Sequence, residues 1–171
     1  MLRTDQVSSE EPTIVPDTPV EDLTLDRVAE IFDDKQLVYR LENVETPDGD
    51  TGTILRTGFS NAAIAMQIRD NTLVIDSLWR GAFPTAQGPQ VLMLTNQWNQ
   101  DNFAPTLRFF DSSAEELAVS AFRELHVGAG VSRNQLDAFV MTTIDAILGS
   151  FEWIEQKHPD LVTWESEHNH D

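Results

Sequence analysis

The C-terminal third of the chain contains apolar residues at spacings of three and four, and only a long helix places such residues on one face. The pattern follows Ser132 and Gln135, which form the S-x-x-Q capping box typical of a helix start. The stripe comprises Leu136, Phe139, Val140, Thr143, Ile144, Ile147, Leu148 and Phe151. Because so long a stripe must be buried against a wide surface, it predicts a helix packed on a sheet.

The middle of the chain changes to a period of two. Apolar and other residues alternate through 37–41, 62–68 and 73–79, and a further strand restarts at Ile54. The turn sequence TPDGDTG and the dipeptide Asp70-Asn71 separate these segments. We therefore predict an antiparallel meander of three or four strands.

Two further helices flank this meander. Thr24 can cap a short amphipathic helix over roughly 24–35. Gly88-Pro89 can open a second helix, since proline is accepted in a first turn, and Pro105 prevents its continuation.

Residues 106–110 are predicted as a short strand, and residues 116–127 as a long one. A helix is the alternative for the second segment because alanine and glutamate are frequent there. The fold class predicted is α+β, an antiparallel sheet with three helices mainly on one face, in the order α-β-β-β-α-β-β-α.

The length of 171 residues and 40% hydrophobic content suit one domain with one core. We predict an acidic arm over residues 1–22, the domain over 23–155 and an acidic tail over 156–171. No transmembrane helix or signal peptide is expected. The absence of cysteine excludes disulfides and is compatible with the cytoplasmic location that we predict.

The net charge of −18 argues against binding to nucleic acid or to anionic membranes. Acids concentrate at both ends: residues 1–26 hold seven with one base, and residues 152–171 hold six with one base. We interpret both ends as solvated, disordered termini. Acidic docking arms are the alternative.

Residues at the end of the second helix form a cluster of amides and aromatics: Asn96, Trp98, Asn99, Phe103 and Pro105. The two asparagines lie three apart, so both can reach the same side of the helix end. Their amides could bond the last helix carbonyls or the backbone of residues 106–110. We interpret the cluster mainly as a helix-to-strand corner with Trp98 as its packed anchor, and a ligand-binding asparagine pair is the alternative.

This corner, with the later stretch Gly128-Ala129-Gly130-Val131-Ser132 and the helix after it, resembles the YbjN family over about residues 23–155. The resemblance implies a fold similar to type III secretion and Tir chaperones. Members are described as sensory transduction regulators, so it implies binding to other polypeptides. It implies no catalytic residues and no cofactor.

Nothing else in the sequence predicts a catalyst. His126 lacks a serine or aspartate partner at a motif spacing, and we interpret it as structural or exposed. The segment Gly128-x-Gly130 lacks a third glycine and a βαβ context, so no dinucleotide site is expected. A metal at the tail histidines, His168 and His170 with His158, is disfavoured. We predict no enzyme activity, no cofactor and no metal.

Aromatic residues of the sheet region offer a candidate partner surface: Trp79, Phe83, Phe110 and Phe122. If helices cover only one sheet face, some of these must lie on the other. An ordinary two-sided core is the alternative.

The sequence therefore predicts a non-catalytic, dimeric module that binds a protein or peptide. A small-molecule or anion sensor is the alternative, with a pocket under the sheet lined by Trp79 and by arginines drawn from Arg56, Arg69, Arg80 and Arg108.

Overall fold

Three helices and seven strands occur in the computed structural model, which describes residues 16–164. The helices are α1 (Leu25–Asp34), α2 (Gly88–Asp101) and α3 (Arg133–Lys157). The strands are β1 (Arg40–Glu45), β2 (Thr51–Gly58), β3 (Ala62–Arg69), β4 (Thr72–Trp79), β5 (Phe83–Pro84), β6 (Thr106–Asp111) and β7 (Glu116–His126). Short 3-10 turns cover Thr85–Gln87 and Pro159–Leu161.

All strands join one antiparallel sheet in the order β1-β2-β3-β4-β7, with β6 and the short β5 also paired to β7. The predicted α+β class and the order of helices and strands are confirmed. The meander before α2 has four full strands, the larger of the two numbers predicted, and β5 adds a two-residue strand.

Local chemistry explains the meander. Asp70 and Asn71 form a two-residue hairpin with φ angles of 47° and 59°, which asparagine and aspartate tolerate better than most residues. Residues 116–127, for which a helix was the alternative, contain the strand β7. Its alternate residues Leu117, Val119 and Ala121 are buried, as a half-covered strand requires.

The helix α3 lies on the buried face of the sheet and contacts β3, β4 and β7. The predicted capping box is present, because Ser132 accepts from the N–H of Gln135 and the Gln135 side chain accepts from the N–H of Ser132. Among the buried residues of its apolar stripe are Leu136, Ile147 and Phe151. This stripe provides most of the helical side of the core.

The segment 16–22 runs against the loop before α3. Glu21 and Val131 exchange two backbone hydrogen bonds of 3.2 and 2.8 Å. The Arg27 guanidinium donates to the carbonyls of Glu21, Asp22 and Val131. The segment therefore binds the domain through backbone groups on both sides.

The same segment also caps α3. The N–H of Arg133 donates to the Thr18 hydroxyl at 2.8 Å, and the N–H of Asn134 donates to the Asp17 carboxylate at 2.9 Å. Hydrogen bonds from Ser132 and from the Asn134 backbone hold the pKa of Asp17 below its ordinary value. Residues 17–22, which were predicted to belong to the acidic arm, therefore contact the domain. Residues 1–15 of the predicted arm lie outside the described residues.

None of the helices within residues 16–164 combines the length and apolar character that a membrane crossing requires.

Candidate ligand-binding groove

Within residues 16–164, no helix packs on one face of the sheet. The residues of this open face follow from the strand register. One row across the strands contains Arg40, Arg56, Ala65, Asp76, Phe122 and Thr106. The next row contains Gly58, Ala63, Leu78, Ser120 and Arg108. Because side chains alternate along a strand, both rows point away from the core.

These rows form a groove of about 740 Å³. Its floor is made of small residues, Ala63, Ala65 and Gly58, so that the sheet is depressed between larger side chains. The Leu78 and Phe110 side chains border the floor and are 44% and 45% exposed. The groove therefore offers apolar surface to a ligand without any change in the fold.

Four arginines line the groove: Arg40, Arg56, Arg80 and Arg108. They are four of the 11 basic residues of the chain, whereas one of its 29 acidic residues, Asp76, joins them in the lining. The groove is thus locally basic in a strongly acidic protein.

Two of these arginines are paired with acids. Arg56 forms an ion pair with Glu42. Arg108 donates to Asp76 at 2.8 Å and to the Ser120 hydroxyl at 2.9 Å, and its guanidinium carbon lies 4.5 Å from the centre of the Phe122 ring. These contacts fix the direction in which both side chains project.

The other two, Arg40 and Arg80, form no ion pair with an acidic residue of 16–164. Arg80 donates to the carbonyls of Phe59 and Ala62 at 2.9 and 3.4 Å, and carbonyl groups orient its guanidinium without neutralising it. For Arg40, no side-chain hydrogen bond or ion pair occurs with any of residues 16–164. Both arginines are exposed, so they can reach an anion in the groove.

The predicted arginine set is thus only partly brought together. Arg56, Arg80 and Arg108 lie in the groove, but Arg69 stands outside its lining, near the far end of β3. Arg40 was missed, and its alternation with Tyr39 and Leu41 on a strand was the signal that could have placed it.

Trp79, expected to line the same pocket, points into the core instead. It is 3% exposed and packs against Phe83 and Trp164, with ring centroids 5.6 and 6.0 Å away. Side chains on β4 alternate between the two sheet faces, and Asp76 and Leu78 lie on the open face. Trp79 follows Leu78 directly, so it must face the helices. Phe83 is 1% exposed. Both residues are therefore corrected from partner surface to core, whereas Phe110 and Phe122 lie on the open face.

The helix-to-strand corner has the contacts that its residues suggested. The Asn99 amide donates to the Leu107 carbonyl and accepts from the Leu107 N–H, both at 2.8 Å. The Trp98 indole N–H donates to the Pro105 carbonyl at 2.9 Å. Asn99 thus occupies the hydrogen-bonding edge of β6, which would otherwise stay open to another strand.

The other corner residues have no such role. Asn96 is exposed and its side chain makes no hydrogen bond with the described residues, so it is not the partner of Asn99. Phe103 is 96% exposed. The alternative, a ligand-binding asparagine pair, is untested.

The two glycines of the Gly128-x-Gly130 segment differ. Gly130 has a φ of 105°, and a Cβ atom there would lie 2.8 Å from the carbonyl carbon of Glu21. At Gly128 a Cβ atom would meet nothing within 4 Å. Only Gly130 is therefore required by the close approach of the N-terminal segment.

The two histidines within residues 16–164, His126 and His158, both lie outside the groove lining. The Nδ1 of His126 is 2.9 Å from the Thr72 hydroxyl. His158 packs edge-on against Phe83. Within residues 16–164 no three His, Asp or Glu side chains gather as a metal site would need, and His168 and His170 lie outside the described residues.

One carboxyl group is placed where burial disfavours its charge. Burial raises the pKa of Glu155, the hydrogen bond from the Asn61 amide (3.1 Å) lowers it, and the Glu152 charge raises it again. Since the net shift is upward, ionised Glu155 costs folding free energy at neutral pH.

We expect Glu155→Gln to stabilise the protein by about 0.5 kcal/mol at pH 7, because glutamine can still accept from Asn61 without a buried charge. The gain should shrink as the pH falls through the raised folded-state pKa towards the ordinary carboxyl pKa, below which the wild-type group is protonated in both states. Urea denaturation at pH 7 and at about pH 4 measures this, with the exposed Glu30→Gln on α1 as control. A gain that grows at low pH would contradict the prediction.

An α+β domain, with helices on one face of an antiparallel sheet and an open groove on the other, is the class that this fold and surface define. Comparison with known families assigns residues 24–156 to YbjN, described as a putative bacterial sensory transduction regulator. The chain belongs to the YbjN family, which confirms the resemblance. That family is described as regulatory rather than enzymatic.

Among solved structures, the chain is similar to a crystal structure of YbjN, a putative transcription regulator from E. coli. The TM-score is 0.64 at 13% identity, over 82% of this chain and 97% of that one. At this identity the similarity concerns the fold alone. No curated protein sequence matches the chain, and the likeness to type III secretion chaperones stays a prediction.

Proposed function

We propose that this protein is a non-catalytic regulatory module that binds another polypeptide through the open face of its sheet. The observation that carries the proposal is the groove on that face, which combines exposed Leu78 and Phe110 with arginine side chains. Apolar side chains exposed together with arginine are typical of protein-binding surfaces.

The test is selection of random 12-residue peptides displayed on phage against the purified protein. Ala63→Trp fills the floor of the groove, and because Ala63 is exposed the fold should accept the larger side chain. Met93→Trp on α2, where methionine is 73% exposed, is the matched control. We expect selected peptides to bind at least about tenfold more weakly to the first variant and unchanged to the second.

Two results would contradict this function. One is the absence of enriched peptides after repeated selection. The other is a set of peptides that bind Ala63→Trp as well as the unaltered protein.

A small-molecule or anion sensor is the second candidate, favoured by the four arginines in one groove. The groove lies on the open face and Trp79 does not line it, so it is not the pocket that was predicted. A rise in melting temperature with succinate or phosphate, lost on Arg40→Ser, would support this candidate.

We also propose that two copies associate through the open face or the exposed side of α2. Light scattering during gel filtration would give 19.2 kDa for a monomer and twice that mass for the dimer. A single monomeric species at high concentration would contradict the dimer.

A further inference from the structure

The sign of charge in the groove is opposite to that of the whole protein. The chain carries −18, yet the groove lining holds three more positive than negative charges. An acidic partner is repelled by the net charge of the protein and attracted by the arginines of the groove. Such a contrast selects for both the sign and the position of a ligand.

The free binding capacity lies at Arg40 and Arg80. Arg56 and Arg108 are already paired with Glu42 and Asp76, and an incoming carboxylate would have to share them. A guanidinium has five N–H donors, and Arg80 uses two of its nitrogens on backbone carbonyls.

The arginines do not converge on one point. The Arg108 guanidinium reaches Asp76 on β4, whereas those of Arg56 and Arg80 lie at β1 and at the β2–β3 turn. The strands β2 and β4 are two strand spacings apart, or about 10 Å. A single phosphate or carboxylate is too small to contact both ends, so the spacing favours an elongated ligand with separated acids.

An extended polypeptide matches this spacing. It rises about 3.3 Å per residue and its side chains alternate between two faces, so acids at positions i and i+4 share one face and lie about 13 Å apart. The long arginine side chains can take up the remaining difference. The surface between the two arginine positions is Ala63, Ala65 and Leu78, which would accept an apolar side chain between the acids.

Building on the proposed function, we infer that the groove binds an extended acidic segment, with carboxylates at the Arg40–Arg80 end and at Arg108 and an apolar residue over the alanine floor. The segment crosses the strands rather than adding to an edge. The acids determine which peptides bind, and the apolar residue adds affinity by burying apolar surface on the alanine floor.

The experiment analyses the peptides from the phage selection and then one synthetic consensus peptide with a fluorescent label. We expect enriched sequences to carry aspartate or glutamate four residues apart, with an apolar residue midway between them on the same face. The variant Arg40→Ser/Arg80→Ser should weaken binding of the consensus by about tenfold, and raising salt from 0.1 to 0.5 M should weaken it for the unaltered protein.

The control is Arg69→Ser, which removes an arginine of the same sheet face outside the groove. Its affinity should match that of the unaltered protein. Circular dichroism of each variant verifies that the fold is intact.

The two proposals fail differently. Peptides that need the groove but are neutral or basic, or that bind the double arginine variant equally, would overturn the acidic segment and leave peptide binding in place. Failure to obtain any peptide sensitive to Ala63→Trp would overturn the proposed function itself.

Discussion

Replacing Gly130 with alanine is expected to destabilise the protein by about 3 kcal/mol, the largest effect of any small substitution proposed for this chain. The residue has a φ of 105°, which strains any side chain. The added methyl group would also lie closer to the Glu21 carbonyl than van der Waals contact allows. Relief requires the segment 16–22 to move, which breaks the two backbone hydrogen bonds between Glu21 and Val131.

The loss should extend to α3, because the same segment supplies Asp17 and Thr18 as partners for the first N–H groups of that helix. Urea denaturation followed by circular dichroism measures the free energy of unfolding. Gly128→Ala, two residues away in open space, should change it by less than about 0.5 kcal/mol. Equal effects of the two substitutions would show that the approach of Glu21 does not set the requirement for glycine.

Asn99→Asp should cost about 2 kcal/mol at pH 7, the second largest effect. The amide donates one hydrogen bond to Leu107 and accepts another. An ionised carboxylate keeps the acceptor but places negative charge against the Leu107 carbonyl. The exposed Asn96→Asp, on the same helix, adds the same charge without this contact and should be nearly neutral.

The pH dependence separates this cause from a general effect of charge. A protonated carboxyl can donate to the carbonyl, so folding should raise the pKa of the new group. Its neutral form then stabilises the fold below about pH 4, and that stability is lost as the pH rises through the folded-state pKa. Urea denaturation of both variants from pH 3.5 to 7 measures this. A cost at Asn99→Asp that does not decrease at low pH would contradict the hydrogen-bond explanation.

Local elements were predictable because their causes are local. The Ser132–Gln135 capping box and the stripe behind it predict α3, and Asp70-Asn71 predicts a hairpin whatever surrounds it. The strand β7 was less certain, since alanine and glutamate also suit a helix. It is a strand because it pairs with β4 and β6. Such pairing depends on segments distant in sequence, so local propensity could not predict it.

The groove was harder to predict than the fold. Arg40, Arg56, Arg80 and Arg108 lie on four different stretches of sequence and meet only because the strands pair in one register. Trp79 is a second example of what the sequence could not predict. Its aromatic ring suggested a binding surface, but which face of β4 is covered depends on where α3 packs.

By itself the sequence determined the kinds and order of the elements, the excess of acid and the absence of thiol chemistry, because each depends on composition or on neighbouring residues. It also identified the family through the corner at Asn99 and the loop at Gly130. Only the tertiary structure decided that, within residues 16–164, the helices leave one sheet face open and that four arginines share it. The physical reason is that strand register and helix packing are long-range, and they turn scattered charges into a surface.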